Sequence, residues 1–165
     1  MTMKPAGHTS SMHEAEIGLE AWAPTCERCL VETVDALVDC FVVGPRPCPS
    51  EVIEWTHMSH DPESLLGYLM EWVIYHRRVF ARIPVVTSVE KASGWDIRLE
   101  TADVSGRMDD APECVHVQAV DLRPEFGSWH CTVTLDASTE SDELSCTPAP
   151  ENTPRIQHVI SARLA

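Results

Sequence analysis

The chain is poor in basic residues: 12 Lys+Arg stand against 26 Asp+Glu in 165 residues, a formal net charge of -14. Binding to a phosphate backbone draws its free energy from counterions released by clustered Lys and Arg. The densest basic pair is Arg77-Arg78, so direct nucleic-acid binding is not expected. A basic protein partner or a bound cation suits the acidity better. Glycine is scarce too, with seven scattered residues. No G-x-G-x-x-G, Walker loop or G-x-S-x-G occurs, which removes the usual phosphate cradles and the hydrolase nucleophile. No apolar run reaches the roughly 18 residues that span a bilayer. Residues 1–11 lack the apolar centre of a signal peptide, so a cytoplasmic protein without membrane contact is expected.

What is present fits one domain with one core and short tails. Residues 1–11 are polar and read as a flexible leader. Over 13–22, Ala15, Ile17, Leu19 and Ala21 alternate with Glu14, Glu16, Gly18 and Glu20, the mark of a half-buried strand. Thr25 then caps a helix. Cys29, Leu30, Val34, Leu37, Val38 and Phe41 recur at helical spacing, and Gly44-Pro45 ends it. Residues 51–58 read as a strand. Asp61-Pro62-Glu63 opens a second helix over 62–80: Asp61 caps, proline takes the first turn, and Glu63 meets the positive end of the dipole. Its buried face is Leu65, Leu66, Leu69, Trp72, Val73 and His76. Residues 83–91 and 95–104 read as paired strands, and a polar loop follows over 105–113. Val115, Val117 and Ala119 alternate in the next strand, and Trp129, Cys131, Val133 and Leu135 in the last. Pro124-Glu125-Phe126-Gly127 turns between them. The domain spans 12–137. Residues 138–165 carry too little apolar surface to fold and read as a disordered acidic, proline-rich tail, ending in a segment able to form a short helix. Strands joined by hairpins predict an α+β domain: a mostly antiparallel sheet with two helices packed on it.

Two constellations could carry chemistry. Cys26-Glu27-Arg28-Cys29 is a CxxC at a helix start, where the dipole and free amides favour a thiolate. With His57 and His60 it would complete a Cys₂His₂ zinc set. One CxxC outside a thioredoxin-like pattern is a weak signal. The seven cysteines (26, 29, 40, 48, 114, 131 and 146) sit mostly among apolar residues and read better as small buried hydrophobes. The second constellation is acidic. Glu14, Glu16 and Glu20 share the polar face of the first strand, and Asp136 ends the last. Should the two strands lie close, their carboxylates would suit Ca²⁺ or Mg²⁺. A solvated acidic face accounts for the same pattern.

Five segments, in order and spacing, resemble the archease family. These are His13-Glu14-Ala15-Glu16-Ile17-Gly18, then Ala36-Leu37-Val38-Asp39, then the helix from Leu65-Leu66 to Trp72-Val73, then Val117-Gln118-Ala119-Val120, and last Thr132-Val133-Thr134-Leu135-Asp136. The resemblance covers about residues 12–137 and marks a divergent member. Glu16 stands where the family has aspartate, and Gly67, Gln118 and Arg123 also replace family residues. The resemblance implies a non-enzymatic activator that promotes guanylylation and turnover of a GTP-dependent RNA ligase in tRNA splicing or RNA repair. It also implies a divalent cation, Ca²⁺ by preference, held by Glu16 and Asp136 with Asp39 as a third candidate. Two alternatives stay open: a zinc or redox protein built on Cys26, Cys29, His57 and His60, and an archease-like interaction module without metal.

Overall fold

The computed structural model describes residues 5–42, 44–59, 61–106 and 114–138. In chain order they form β1 (Gly7–His13), β2 (Glu16–Ala23), α1 (Cys26–Phe41), β3 (Glu51–His57), α2 (Pro62–Phe80), β4 (Arg82–Lys91), β5 (Trp95–Asp103), β6 (Cys114–Glu125) and β7 (Ser128–Ser138). Every strand pairing is antiparallel. The fold is α+β as expected, but its strands divide between two sheets, ordered β1-β2-β7-β6 and β3-β5-β4. No helix among the described residues is long and apolar enough to cross a membrane.

Both helices begin where their capping residues stand. The Thr25 hydroxyl accepts the Arg28 amide at 3.2 Å, and the Asp61 carboxylate accepts the Glu63 amide at 3.1 Å. Each satisfies an amide that has no partner within the helix. The first helix stops at Phe41, where the Val42 amide closes back on the Val38 carbonyl. The second ends in a left-handed Ala81 after Arg77 and Arg78, whose charges suit the negative end of the dipole.

The helices lie between the sheets. α1 packs on β1, β2 and β7 of one sheet and on β4 of the other, while α2 packs on β6, β4 and α1. Accordingly α1 buries far more than one stripe: Leu30, Val31, Thr33, Val34, Ala36, Leu37 and Val38 are all inside. A helix covered on one side only would keep a polar face. Ile17, Leu19 and Ala21 of β2 face α1 together with Cys131, Val133 and Leu135 of β7. Large rings bridge α2 to the second sheet: Trp55 of β3 stacks on Trp72 at 5.9 Å, and Tyr68 meets Trp55 edge-on. Where the β4–β5 turn crosses β3, a Cβ on Gly94 would stand 2.9 Å from the His57 carbonyl, so only glycine fits there without a shift.

Three sequence expectations change. Residues 7–11 of the expected leader belong to β1, which pairs with β2 from Gly7 opposite Trp22 to His13 opposite Glu16. β1 is an edge strand with mostly exposed side chains, so it shows no apolar alternation to read. The strand expected over 13–22 starts at Glu16 instead. A left-handed Glu14 (φ 54°) turns the chain, and Ala15 is exposed. In β6 the register shifts between Val117 and Ala119. This bulge turns Ala119 outward and brings Leu122 inward opposite Cys131. The β6–β7 turn holds both Phe126 and Gly127 at positive φ, 50° and 79°, the primed geometry that tight hairpins favour. The loop 107–113, His60 and the tail beyond Ser138 lie outside the described residues.

Trp72 is 1% exposed and links α2 to the second sheet. Trp72→Ala should lower unfolding free energy by about 3–5 kcal/mol, the usual loss for a large core aromatic. An unchanged urea midpoint would show that this face carries little of the core.

Candidate functional site

The outer face of the four-stranded sheet carries no helix among the described residues, and one row of residues crosses all four strands at its rim. His13 of β1 faces Glu16 of β2, Glu16 faces Asp136 of β7, and Asp136 faces His116 of β6. Ile17 and Leu135, one step along, are buried against the helices. Strand alternation therefore directs Glu16 and Asp136 to the opposite, outer side. The Ala137 amide donates to the Ala15 carbonyl at 2.7 Å, which makes 15 and 137 a hydrogen-bonded pair. Glu16 and Asp136 then occupy a non-hydrogen-bonded position, where facing Cα atoms stand only about 4.5 Å apart and side chains run closest. Two of the three carboxylates singled out from sequence are thus brought to one spot. The histidines that flank them add polar character to the row. His116 is visible in sequence as the outward residue between Val115 and Val117. Further along the same face, the Glu20 carboxylate hydrogen-bonds His130 at 2.9 Å.

Asp39 lies elsewhere. It sits on α1 and meets Arg46 at 2.8 Å and His8 at 2.7 Å. His8 reaches it from the inner side of β1, and its other ring nitrogen meets the buried Glu32 at 2.7 Å. Glu32 also holds Arg28 at 2.7 Å, and Arg46 also holds Asp35 at 3.1 Å. The result is a line of alternating charge, Arg28–Glu32–His8–Asp39–Arg46–Asp35, that ties β1 and the segment after α1 to the helix. A histidine donating from both nitrogens to carboxylates must carry the extra proton. Burial opposes that charge, but the bonds to Glu32 and Asp39 outweigh it and raise the His8 pKa. Burial likewise works against the Asp39 carboxylate, yet Arg46 and His8 hold its pKa below the ordinary value. Asp35 is the reverse case: burial raises its pKa despite Arg46. Nothing in the sequence marks His8, since it lies in a stretch without pattern.

Of the cysteine–histidine set, Cys26, Cys29 and His57 are described, and the two thiols sit in surroundings that disfavour the thiolate; His60 lies outside the described residues. Burial pushes the Cys26 thiol up to about 11 and the Cys29 thiol up to about 12, and Cys29 contacts the Ala21 carbonyl at 3.8 Å. A helix start lowers a thiol pKa only where the group stays in contact with water; here desolvation dominates. His57 lies on β3 with its ring 4.6 Å from Tyr68, and burial lowers its pKa. Cys29 and Cys131 are buried as expected, Cys26 and Cys40 are half-buried, and Cys48 is exposed. No group of three or more His, Cys, Asp or Glu side chains among the described residues converges closely enough to hold a metal. At the Glu16–Asp136 rim, two facing carboxylates offer the hard oxygens that Ca²⁺ or Mg²⁺ prefers; the remaining coordination would fall to water or backbone carbonyls.

Comparison with known proteins bears on the family and the fold. The Archease protein family (MTH1598/TM1083) matches residues 9–137. The chain belongs to the archease family. A "Probable protein archease" of Mycobacterium tuberculosis, recorded for strains CDC 1551 / Oshkosh and ATCC 25618 / H37Rv, is 27% identical over 143 residues. That alignment covers 79% of this chain and 75% of the relative. The solution structure of Methanobacterium thermoautotrophicum protein 1598 superposes with a TM-score of 0.55 at 17% identity, covering 79% of this chain and 98% of the other. The two share the archease fold. Family membership supports an archease-type role.

Two measurements test the site's chemistry. The His8 pKa is raised above the ordinary 6.5, so the bridge contributes its full stability below about 6.5 and loses it as pH rises through the folded value. The stability gap between wild type and His8→Gln should therefore be wide at about pH 6 and narrow at about pH 9. A gap that does not change with pH would show that His8 binds its carboxylates as the neutral ring. For the thiols, among Cys26, Cys29, Cys48 and Cys131 the native protein at about pH 7.5 should label quickly at exposed Cys48 alone, with the other three reacting on unfolding. Fast native labelling of Cys26 and Cys29 together would revive the redox reading.

Proposed function

We propose that this chain is a non-catalytic activator of a GTP-dependent RNA ligase, acting as a protein partner at the ligase's guanylylation step. The observation that carries the reading is Glu16 directly opposite Asp136, in a chain that belongs to the archease family over most of its length. Under this proposal the two carboxylates hold a divalent cation at the rim of the four-stranded sheet's outer face. Glutamate at 16 extends its oxygens one methylene further than aspartate would, which a flexible oxygen-coordinated ion such as Ca²⁺ tolerates better than Mg²⁺. Asp39 is left out of the cation site, because Arg46 and His8 already neutralise it. The net charge of -14 favours docking to a basic protein surface over direct contact with RNA.

A cognate GTP-dependent RNA ligase, assayed for covalent guanylylation with and without this protein, provides the test. Wild type should raise the rate. The Glu16→Gln, Asp136→Asn double variant should remain folded and lose the effect. Calcium or magnesium should raise the wild-type melting temperature with the logarithm of concentration, as mass action requires, and leave the double variant unmoved. If wild type fails to stimulate the ligase, the activator role is wrong. If melting is indifferent to both cations, the role stands only without the metal.

A further inference from the structure

A cavity of 200 Å³ lies between α2 and the second sheet, away from the Glu16–Asp136 rim. Ile53 and Thr101 line it from the sheet, Trp72, His76 and Phe80 from α2, and Glu51 and Arg82 complete the wall. We propose that this cavity is a binding site for a small, neutral, flat aromatic molecule that presents a hydrogen-bond donor at its edge.

Size and shape come first. An apolar protein cavity of about 150 Å³ accommodates benzene, so this one admits one ring with substituents or two fused rings. Its α2 wall is made of flat rings: Trp72 and His76 stack at 3.6 Å and 15°, and Phe80 lies 5.5 Å from His76. Offset or edge-to-face packing against such a wall favours another aromatic ring over an aliphatic chain.

One polar group of this wall could recognise a ligand. The Trp72 indole N–H is not that group: it is buried out of reach of a water molecule and has no hydrogen-bond partner among the described residues. The His76 Nδ1 lies 2.9 Å from the Trp72 carbonyl. A carbonyl only accepts, so Nδ1 carries a proton. Burial lowers the His76 pKa and keeps the ring neutral near pH 7, which leaves Nε2 as an acceptor. The wall therefore offers one acceptor.

Charge narrows the class further. Arg82 donates to Thr101 and to the Ser50 hydroxyl, and it lies 3.8 Å from the Glu51 carboxylate. Its charge is matched inside the wall, so a phosphate or carboxylate gains little there and a neutral ligand loses little.

Benzene and phenol are the probes for the test, titrated into ¹⁵N-labelled full chain. The Trp72 indole resonance is identified by its loss in Trp72→Phe. Both probes should shift it and give contacts to the Ile53 methyl groups. Phenol should bind several-fold more tightly, the usual gain from one net hydrogen bond. His76→Phe keeps a ring at this position without Nε2; it should bind benzene as wild type does and lose the preference for phenol. A Trp72 indole unmoved by saturating benzene and phenol would mean that the space holds only water, and would overturn the proposal. Equal affinity of wild type for the two probes would overturn it as well, because the polar recognition would be absent.

Discussion

The architecture turns on α1, a helix that must be covered on two sides. Its buried residues occupy most of its circumference, and one sheet can hide only about half of a helix. The second sheet, through β4, supplies the other cover. Once α1 is enclosed, its charged residues must find partners at the seams. Glu32, 5% exposed, meets Arg28 and His8 there. Asp35 and Asp39 share Arg46 just beyond. A carboxylate buried without such partners would lose most of its hydration for no return. The ion pairs are thus a consequence of the apolar packing, and they fix where the edge strand β1 and the segment after α1 can lie.

Both helices pack on the inner faces of the sheets. On the four-stranded sheet the far face presents carboxylates and imidazoles, with no helix above it among the described residues. Strand pairing places the side chains there. A strand pair is a rigid frame for two residues in register, which is the property a two-carboxylate site needs. The aromatic side of α2 plays a different part: its rings span a gap to the second sheet that smaller residues would leave collapsed or empty.

Much of this is legible in sequence wherever a local rule operates. Thr25 and Asp61 announce both helix starts, and Leu65, Leu66, Leu69, Trp72, Val73 and His76 of α2 follow from spacing, whereas Met70, Ile74 and Arg77, buried as well, do not. Ile17, Leu19 and Ala21 declare the inner face of β2, and with it the outward direction of Glu16. What sequence does not supply is partnership between distant strands. That Glu16 faces Asp136, and that His13 and His116 extend the row, depends on a register set between the two ends of the domain. The bulge after Val117 has no local signal, so alternation alone puts Ala119 on the wrong face. β1 is invisible to pattern because an edge strand with both sides largely wet has no alternation. His8 is hidden with it, although it makes two of the shortest contacts in the charged seam.

The pairing of β2 with β7 has a temporal side. A ribosome releases β1, β2 and α1 first, yet the strand that completes their sheet is the last of the domain to be made. A two-stranded hairpin is marginal by itself in water, and contacts between remote parts of a chain form slowly. The strands of the second sheet pair among residues 51–103 and can close meanwhile, whereas α2 also waits for β6. During that interval the inward side of β2 has only α1 to lean on, a natural binding target for chaperones. The arrival of residues 128–138 ends the wait, and the same event brings Asp136 opposite Glu16. The carboxylate pair therefore exists only in a finished domain, and whatever engages it discriminates mature protein from nascent chain.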